Sequence, residues 1–144
     1  MTILGLAGVP ARADEAFEVT HTEEEWRKLL SRNQFAVLRE EATERPFTSP
    51  LNREHRQGVF RCAGCDLPLF ASQVKFDSGT GWPSFWQPLE NAVGMTDDSS
   101  FGMVRTAVHC RRCGGHLGHV FPDGPKPTGL RYCVNGLALN FVPA

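Results

Sequence analysis

Five cysteines carry most of the reactive potential of this chain, and four of them come in pairs. Cys62-Ala63-Gly64-Cys65 and Cys110-Arg111-Arg112-Cys113 share the Cys-x-x-Cys spacing. Two intervening residues let one tight turn aim both sulfurs at a single tetrahedral ion. Gly114, after the second pair, suits the backbone angles of such a turn. Four thiolates fill the shell and leave no position for water, so the expected metal is a structural zinc, not a catalytic one. Disulfides or a redox pair can use the same cysteines, and iron the same ligands. Two matched pairs in one chain favour zinc. Arg111 and Arg112 either offset the surplus negative charge or are plain surface charges.

Subtracting four ligands leaves Cys133, in Leu130-Arg131-Tyr132-Cys133-Val134-Asn135. In a strand alternate residues share a face, which groups Arg131, Cys133 and Asn135 against Tyr132 and Val134. An arginine beside a thiol favours the thiolate, and Asn135 has the groups to orient a neighbour. An inert buried thiol is the bland alternative. Upstream, His116-Leu117-Gly118-His119 is followed by Asp123. Histidine carries protons near neutral pH and is the usual partner of a catalytic thiol. These two histidines read as acids for Cys133, or else as core residues. In Gly81-Trp82-Pro83-Ser84-Phe85-Trp86, Trp82 reads as a pocket wall presented from a turn, and Phe85 and Trp86 as core.

These groups need a scaffold. Thr22-x-x-Glu25 and Ser31-x-x-Gln34 are capping boxes that predict two short helices, the second ending before Glu44-Arg45-Pro46. After Pro50 the texture changes to short apolar or alternating runs between turn residues. Residues 58–61, 102–109, 119–121 and 130–141 read as strands. Fourteen Gly and ten Pro favour a mainly β fold.

The 144 residues fit one domain. A net charge of −1 offers no electrostatic case for nucleic acid, and no apolar run approaches the roughly 20 residues of a membrane helix. Residues 1–20 read as a flexible tail, or as a signal-peptide remnant given apolar Ile3–Val9 and Ala11-Arg12-Ala13; a basic n-region is missing. The first reading implies the cytoplasm, the second the periplasm.

Four stretches together resemble the B-type peptide-methionine (R)-S-oxide reductases: Arg61–Cys65, Ser78–Phe85, Gly115–Pro125 and Arg131–Asn135. The similarity runs from about Glu23 to Phe141, so residues 21–144 form the expected reductase domain. The resemblance implies a mainly β, antiparallel two-sheet open barrel with a zinc site away from the active site. It implies that Cys133 attacks the sulfur of methionine (R)-sulfoxide in oxidised proteins. His116 and His119 would lie around the sulfoxide oxygen, with Asn135 and Asp123 supporting them. Arg131 would activate Cys133, and Trp82 would pack on the substrate methyl group.

Many members carry a recycling cysteine where this chain has Thr80, and Ser-Ala where it has Gly136-Leu137. Without a partner thiol, Cys133 is expected to end each turnover as a sulfenic acid. An external thiol such as thioredoxin, or glutaredoxin with glutathione, would reduce it. No organic cofactor and a monomeric state are expected. A zinc-ribbon binding module and a thiol peroxidase are the rival readings.

Overall fold

The computed structural model describes residues 17–99 and 102–144. Ile3–Val9 and Ala11–Ala13 lie outside the described residues. Of the expected tail, residues 17–20 rest against the second Cys-x-x-Cys turn, where the Val19 amide donates to the Arg112 carbonyl (3.0 Å).

Both capping boxes form. Thr22 and Glu25 exchange side-chain and backbone bonds at the start of α1 (Glu23–Leu29), as Ser31 and Gln34 do for α2 (Arg32–Glu40). These reciprocal bonds satisfy amides that the first helical turn leaves without partners. α2 stops at Glu41, which takes a left-handed conformation (φ 60°), several residues before Pro46. Trp26, Phe35, Val37 and Leu38 are the buried face of the pair.

Among the described residues nine strands follow: β1 (Gly58–Cys62), β2 (Pro68–Ala71), β3 (Lys75–Phe76), β4 (Ser84–Phe85), β5 (Val93–Asp98), β6 (Arg105–Cys110), β7 (His116–Phe121), β8 (Arg131–Val134) and β9 (Leu139–Pro143). They make two antiparallel sheets, of order β9-β1-β2 and β3-β4-β8-β7-β6-β5. The sheets remain open. Their inner faces meet through aromatic rings: Phe70 of the small sheet stacks on Phe85 of the large one (4.3 Å), and Phe60 meets Phe85 edge-on (5.0 Å). Burying such rings supplies a large apolar area, and their stacked and edge-on geometry adds to it. Phe85 is therefore core, whereas Trp86 stays half-buried.

Two expectations need correction. The run 130–141 is not one strand but two, in different sheets, separated by a 3-10 turn at Gly136–Ala138. The cause is Glu44, a buried carboxylate (7% exposed) far away in sequence. Its oxygens accept from the Gly136 amide (2.8 Å) and the Leu137 amide (3.0 Å) and hold the chain out of the ladder. Gly136 also has to be small there, since a Cβ would sit 1.9 Å from Ser49 Oγ. The other correction concerns β2 to β5, absent from the sequence reading. β3 and β4 are two residues each, and β5 is an edge strand ending in Asp97-Asp98, so none shows a clear alternating pattern. Among the described residues no helix is long and apolar enough to cross a membrane.

Replacing Glu44 by Ala strips two buried amides of their acceptor. Unfolding of Glu44→Ala in urea is expected to show a loss of about 3 kcal/mol against the parent chain. A change below about 0.5 kcal/mol would mean that the turn at Gly136 holds without it.

Candidate active site

β8 sets the site. Tyr132 and Val134 are buried between the sheets, so Arg131 and Cys133 face the other way. In the ladder Cys133 lies directly opposite His119 of β7 and Ser84 of β4. Directly opposed side chains sit roughly 4.5–5.5 Å apart at Cβ, which brings an imidazole within reach of the thiol. Cys133, His119, Trp82, Phe121, Asn135 and Arg105 line one pocket of about 100 Å³. Gly118 forms its floor, where a Cβ would lie 1.9 Å from the Cys133 carbonyl oxygen.

The histidines are three residues apart, which in a regular strand puts them on opposite faces. A bulge changes this. Val108 pairs with Gly118 and His109 with His116, so Leu117 is an extra residue in β7. The extra residue switches the alternation, and the two rings meet edge-on with centroids 5.4 Å apart. They do not share a pocket. His119 faces Cys133, while His116 lines a separate cavity of about 490 Å³ behind it. Burial, and next the neighbouring His119, lower the His116 pKa to about 4, so it is a neutral ring at pH 7.

His119 has a carboxylate partner that sequence reasoning missed. Its Nε2 lies 2.8 Å from Asp98 Oδ2, and Arg105 reaches the same oxygen at 3.3 Å. Both residues come from the β5–β6 hairpin, where Asp98 pairs with Arg105 across the ladder. Only a predicted β5 placed beside β6 would have found them. Arg105 Nε is buried and makes no hydrogen bond among the described residues.

Arg131 is less committed to the thiol than its position in sequence suggests. It forms a two-pronged pair with Asp123 (2.9 and 3.1 Å) and lies over the Phe121 ring (4.4 Å). That pairing holds the exposed Asp123 carboxyl below its ordinary range. At Cys133 two influences compete. Burial pushes the thiol up and wins, while Arg131 and the Thr80 hydroxyl pull it down.

Trp82 and Asn135 are fixed through Glu44. Trp82 Nε1 donates to the Glu44 carbonyl (3.0 Å), and Asn135 Oδ1 accepts from the Glu44 amide (3.0 Å). Asn135 Nδ2 donates to the Leu117 carbonyl (3.0 Å), which ties β8 to the bulge in β7. Asn135 thus positions backbone on both sides of Cys133.

The paired cysteines converge elsewhere. Cys62, Cys65, Cys110 and Cys113 place their sulfurs within 4.8 Å of one another, positioned to hold one metal ion. Cys62–Cys113 and Cys65–Cys110 sulfurs lie 3.7 and 3.5 Å apart. A tetrahedral site with metal–sulfur bonds of about 2.3 Å requires about 3.8 Å, so the cluster fits. Its two turns match: Asp66 and Gly114, each following the second cysteine, take left-handed φ values of 69° and 76°. Arg112 donates to the Cys65 carbonyl (3.4 Å), and both Arg111 and Arg112 contact Glu18.

A family model described as the SelR domain matches residues 30–143. Proteins named peptide methionine sulfoxide reductase MsrB are similar over 88% of this chain. The one from Bradyrhizobium diazoefficiens is 58% identical over 91% of its own length. Those from Pseudomonas putida W619 and Agrobacterium fabrum are 55% and 54% identical over 96% and 94% of theirs.

The lowered pKa of His116 has a consequence for stability. Above pH 6.5 neither the folded nor the unfolded chain protonates this ring. As pH falls from 6.5 towards 4, only the unfolded chain takes up the proton, and stability declines. The cost from His116 reaches about 2 kcal/mol at pH 5. Urea unfolding of the parent chain and His116→Gln between pH 7.5 and 5 checks this. The variant should lose that part of the slope; parallel curves would contradict it.

Proposed function

This chain belongs to the SelR-domain family of MsrB peptide methionine sulfoxide reductases, and on that premise we propose that Cys133 is the thiol that performs its oxidoreductase chemistry. The pairing of Cys133 with His119 across adjacent strands, with Asp98 behind the imidazole, carries the reading. A sulfoxide oxygen leaves poorly until it is protonated, so a thiol needs an acid beside it.

The substrate is the R epimer of peptide-bound methionine sulfoxide. Its methyl group rests against Trp82 and its oxygen points to His119. The Cys133 proton passes to His119 as the substrate binds, and the thiolate favoured by Arg131 and Thr80 attacks the sulfoxide sulfur, forming a sulfur–sulfur bond. His119, with the Asp98 carboxylate beside it, delivers the proton to the oxygen. The oxygen then passes to the Cys133 sulfur while the sulfur–sulfur bond and the substrate's sulfur–oxygen bond break, and methionine leaves. Sulfoxide sulfur gains two electrons and Cys133 sulfur loses two, ending as a sulfenic acid. Thr80 offers no second thiol, so two external thiols, from thioredoxin or from glutathione with glutaredoxin, return Cys133 to its reduced state and release water and a disulfide. His116 acts on His119 from behind, and Asp123 acts through Arg131.

Zinc is the metal that the four sulfurs best suit. Cys62, Cys65, Cys110 and Cys113 would hold it, and it would supply cross-linking of the β1–β2 and β6–β7 turns. Chelation should release one zinc per chain and lower the melting temperature, whereas Cys133→Ser should keep the metal.

Activity is tested with a dabsylated methionine sulfoxide mixture and dithiothreitol, with the epimers resolved afterwards. Only the R form should disappear. Cys133→Ser should leave both untouched, and His119→Asn should cost about 10²-fold or more. Loss of the S form, or undiminished activity in Cys133→Ser, would overturn the reading. Mass spectrometry after one turnover should find Cys133 oxidised without an intramolecular disulfide; such a disulfide with the metal still bound would refute the one-cysteine cycle.

A further inference from the structure

We infer that Phe47 and the cavity it shares with Trp82 form a second substrate subsite, which takes an apolar or aromatic side chain flanking the methionine sulfoxide in the same peptide. The inference rests on the reading that the Cys133 pocket receives the sulfoxide. Trp82 belongs to two pockets at once. One is the Cys133 pocket; the other, of about 280 Å³, has Phe47, Phe76 and Pro83 among its walls. The two are therefore neighbours across a single indole.

Phe47 is held in a costly state. Phe47 is 73% exposed, and its backbone has φ 65°, a region that a bulky residue avoids. What holds it is the Trp82 loop. The Phe47 amide donates to the Gly81 carbonyl (2.7 Å), and Asn52 Nδ2 donates to that same oxygen (3.0 Å). Three residues earlier the Glu44 carbonyl accepts from the Trp82 indole. Residues 44–47 are thus laced at both ends to the residues that present Trp82. Gly81 leaves room for this strap, since a Cβ would meet Pro46 Cβ at 2.6 Å and the Phe47 ring at 3.0 Å.

An exposed aromatic maintained against backbone strain, beside a substrate wall, is poised to bury itself against a ligand. The occupant follows from continuity. A peptide whose sulfoxide side chain enters on one side of Trp82 must lay its neighbouring residues along the other. In an extended peptide, residues two apart lie about 7 Å from one another and project to the same side. Arg53, His55, Lys75 and Asp77 make the polar part of this cavity, with the Lys75 ammonium engaged by the Asn52 carbonyl (3.1 Å), and Phe47, Phe76, Trp82 and Pro83 make the apolar wall that an apolar side chain would meet.

The test compares kcat/KM for N-acetyl-methionine sulfoxide with that for capped pentapeptides carrying Phe or Gly at the two positions on either side of the sulfoxide. The metal-loaded full chain should prefer a Phe-flanked peptide over its Gly counterpart by about tenfold. Phe47→Asn, whose new side chain tolerates the left-handed backbone, should abolish that ratio, and Phe47→Leu should restore part of it. Equal rates on Phe and Gly peptides in the parent chain, or an undiminished ratio in Phe47→Asn, would overturn the inference while leaving the reductase reading intact. Failure to reduce any of these sulfoxides would instead sink the reading on which it rests.

Discussion

Glu44 is the residue on which the site's geometry turns. Its carboxylate accepts from Gly136 and Leu137, its amide donates to Asn135, and its carbonyl accepts from Trp82. Four bonds from one buried residue therefore end the Cys133 strand, orient the side chain beyond it and fix the aromatic wall opposite. A buried carboxylate is tolerated only when its oxygens are engaged, and the two amides engage them. The arrangement forces the chain to leave one sheet at Val134 and enter the other at Leu139. The Cys133 strand is held at its end by a contact rather than by further ladder.

The second constraint is the four-sulfur cluster. Among the described residues the large and small sheets share no hydrogen-bonded ladder. Stacked aromatic rings hold their faces together, and the paired cysteine turns fasten one end of each. An ion there would join the β1–β2 turn to the β6–β7 turn. β7 leaves that fastened turn and runs straight to His116 and His119. The cluster thus acts on the site through strand placement, which is a structural role for a metal.

The chemistry of the pocket follows from contrasts between neighbours. Cys133 is raised by burial and drawn down by Arg131 and Thr80, with burial the larger influence. His119 has a carboxylate at its back, Asp98 Oδ2 lying 2.8 Å from its Nε2. His116, one bulge away, is neutral. Two histidines of the same motif therefore sit in different surroundings, His116 buried and His119 beside a carboxylate, set by packing rather than by sequence spacing.

What local chemistry decides was readable directly. Both capping boxes, both cysteine turns, the odd fifth cysteine and the two-faced pattern of residues 131–134 depend on neighbours within a few positions. The four motifs Arg61–Cys65, Ser78–Phe85, Gly115–Pro125 and Arg131–Asn135 were enough to identify the family. What tertiary structure alone decided was every contact made over distance. Glu44 is one acidic residue among many in the sequence, and only folding brings it 91 positions along the chain to Asn135. Asp98 joins His119 because an edge strand too polar to stand out pairs beside it. The edge-on meeting of His116 with His119 depends on an extra residue whose existence shows only in the pairing of two strands. Short-range backbone preferences are written in sequence, but register, burial and the partner of a charge are properties of the packed chain.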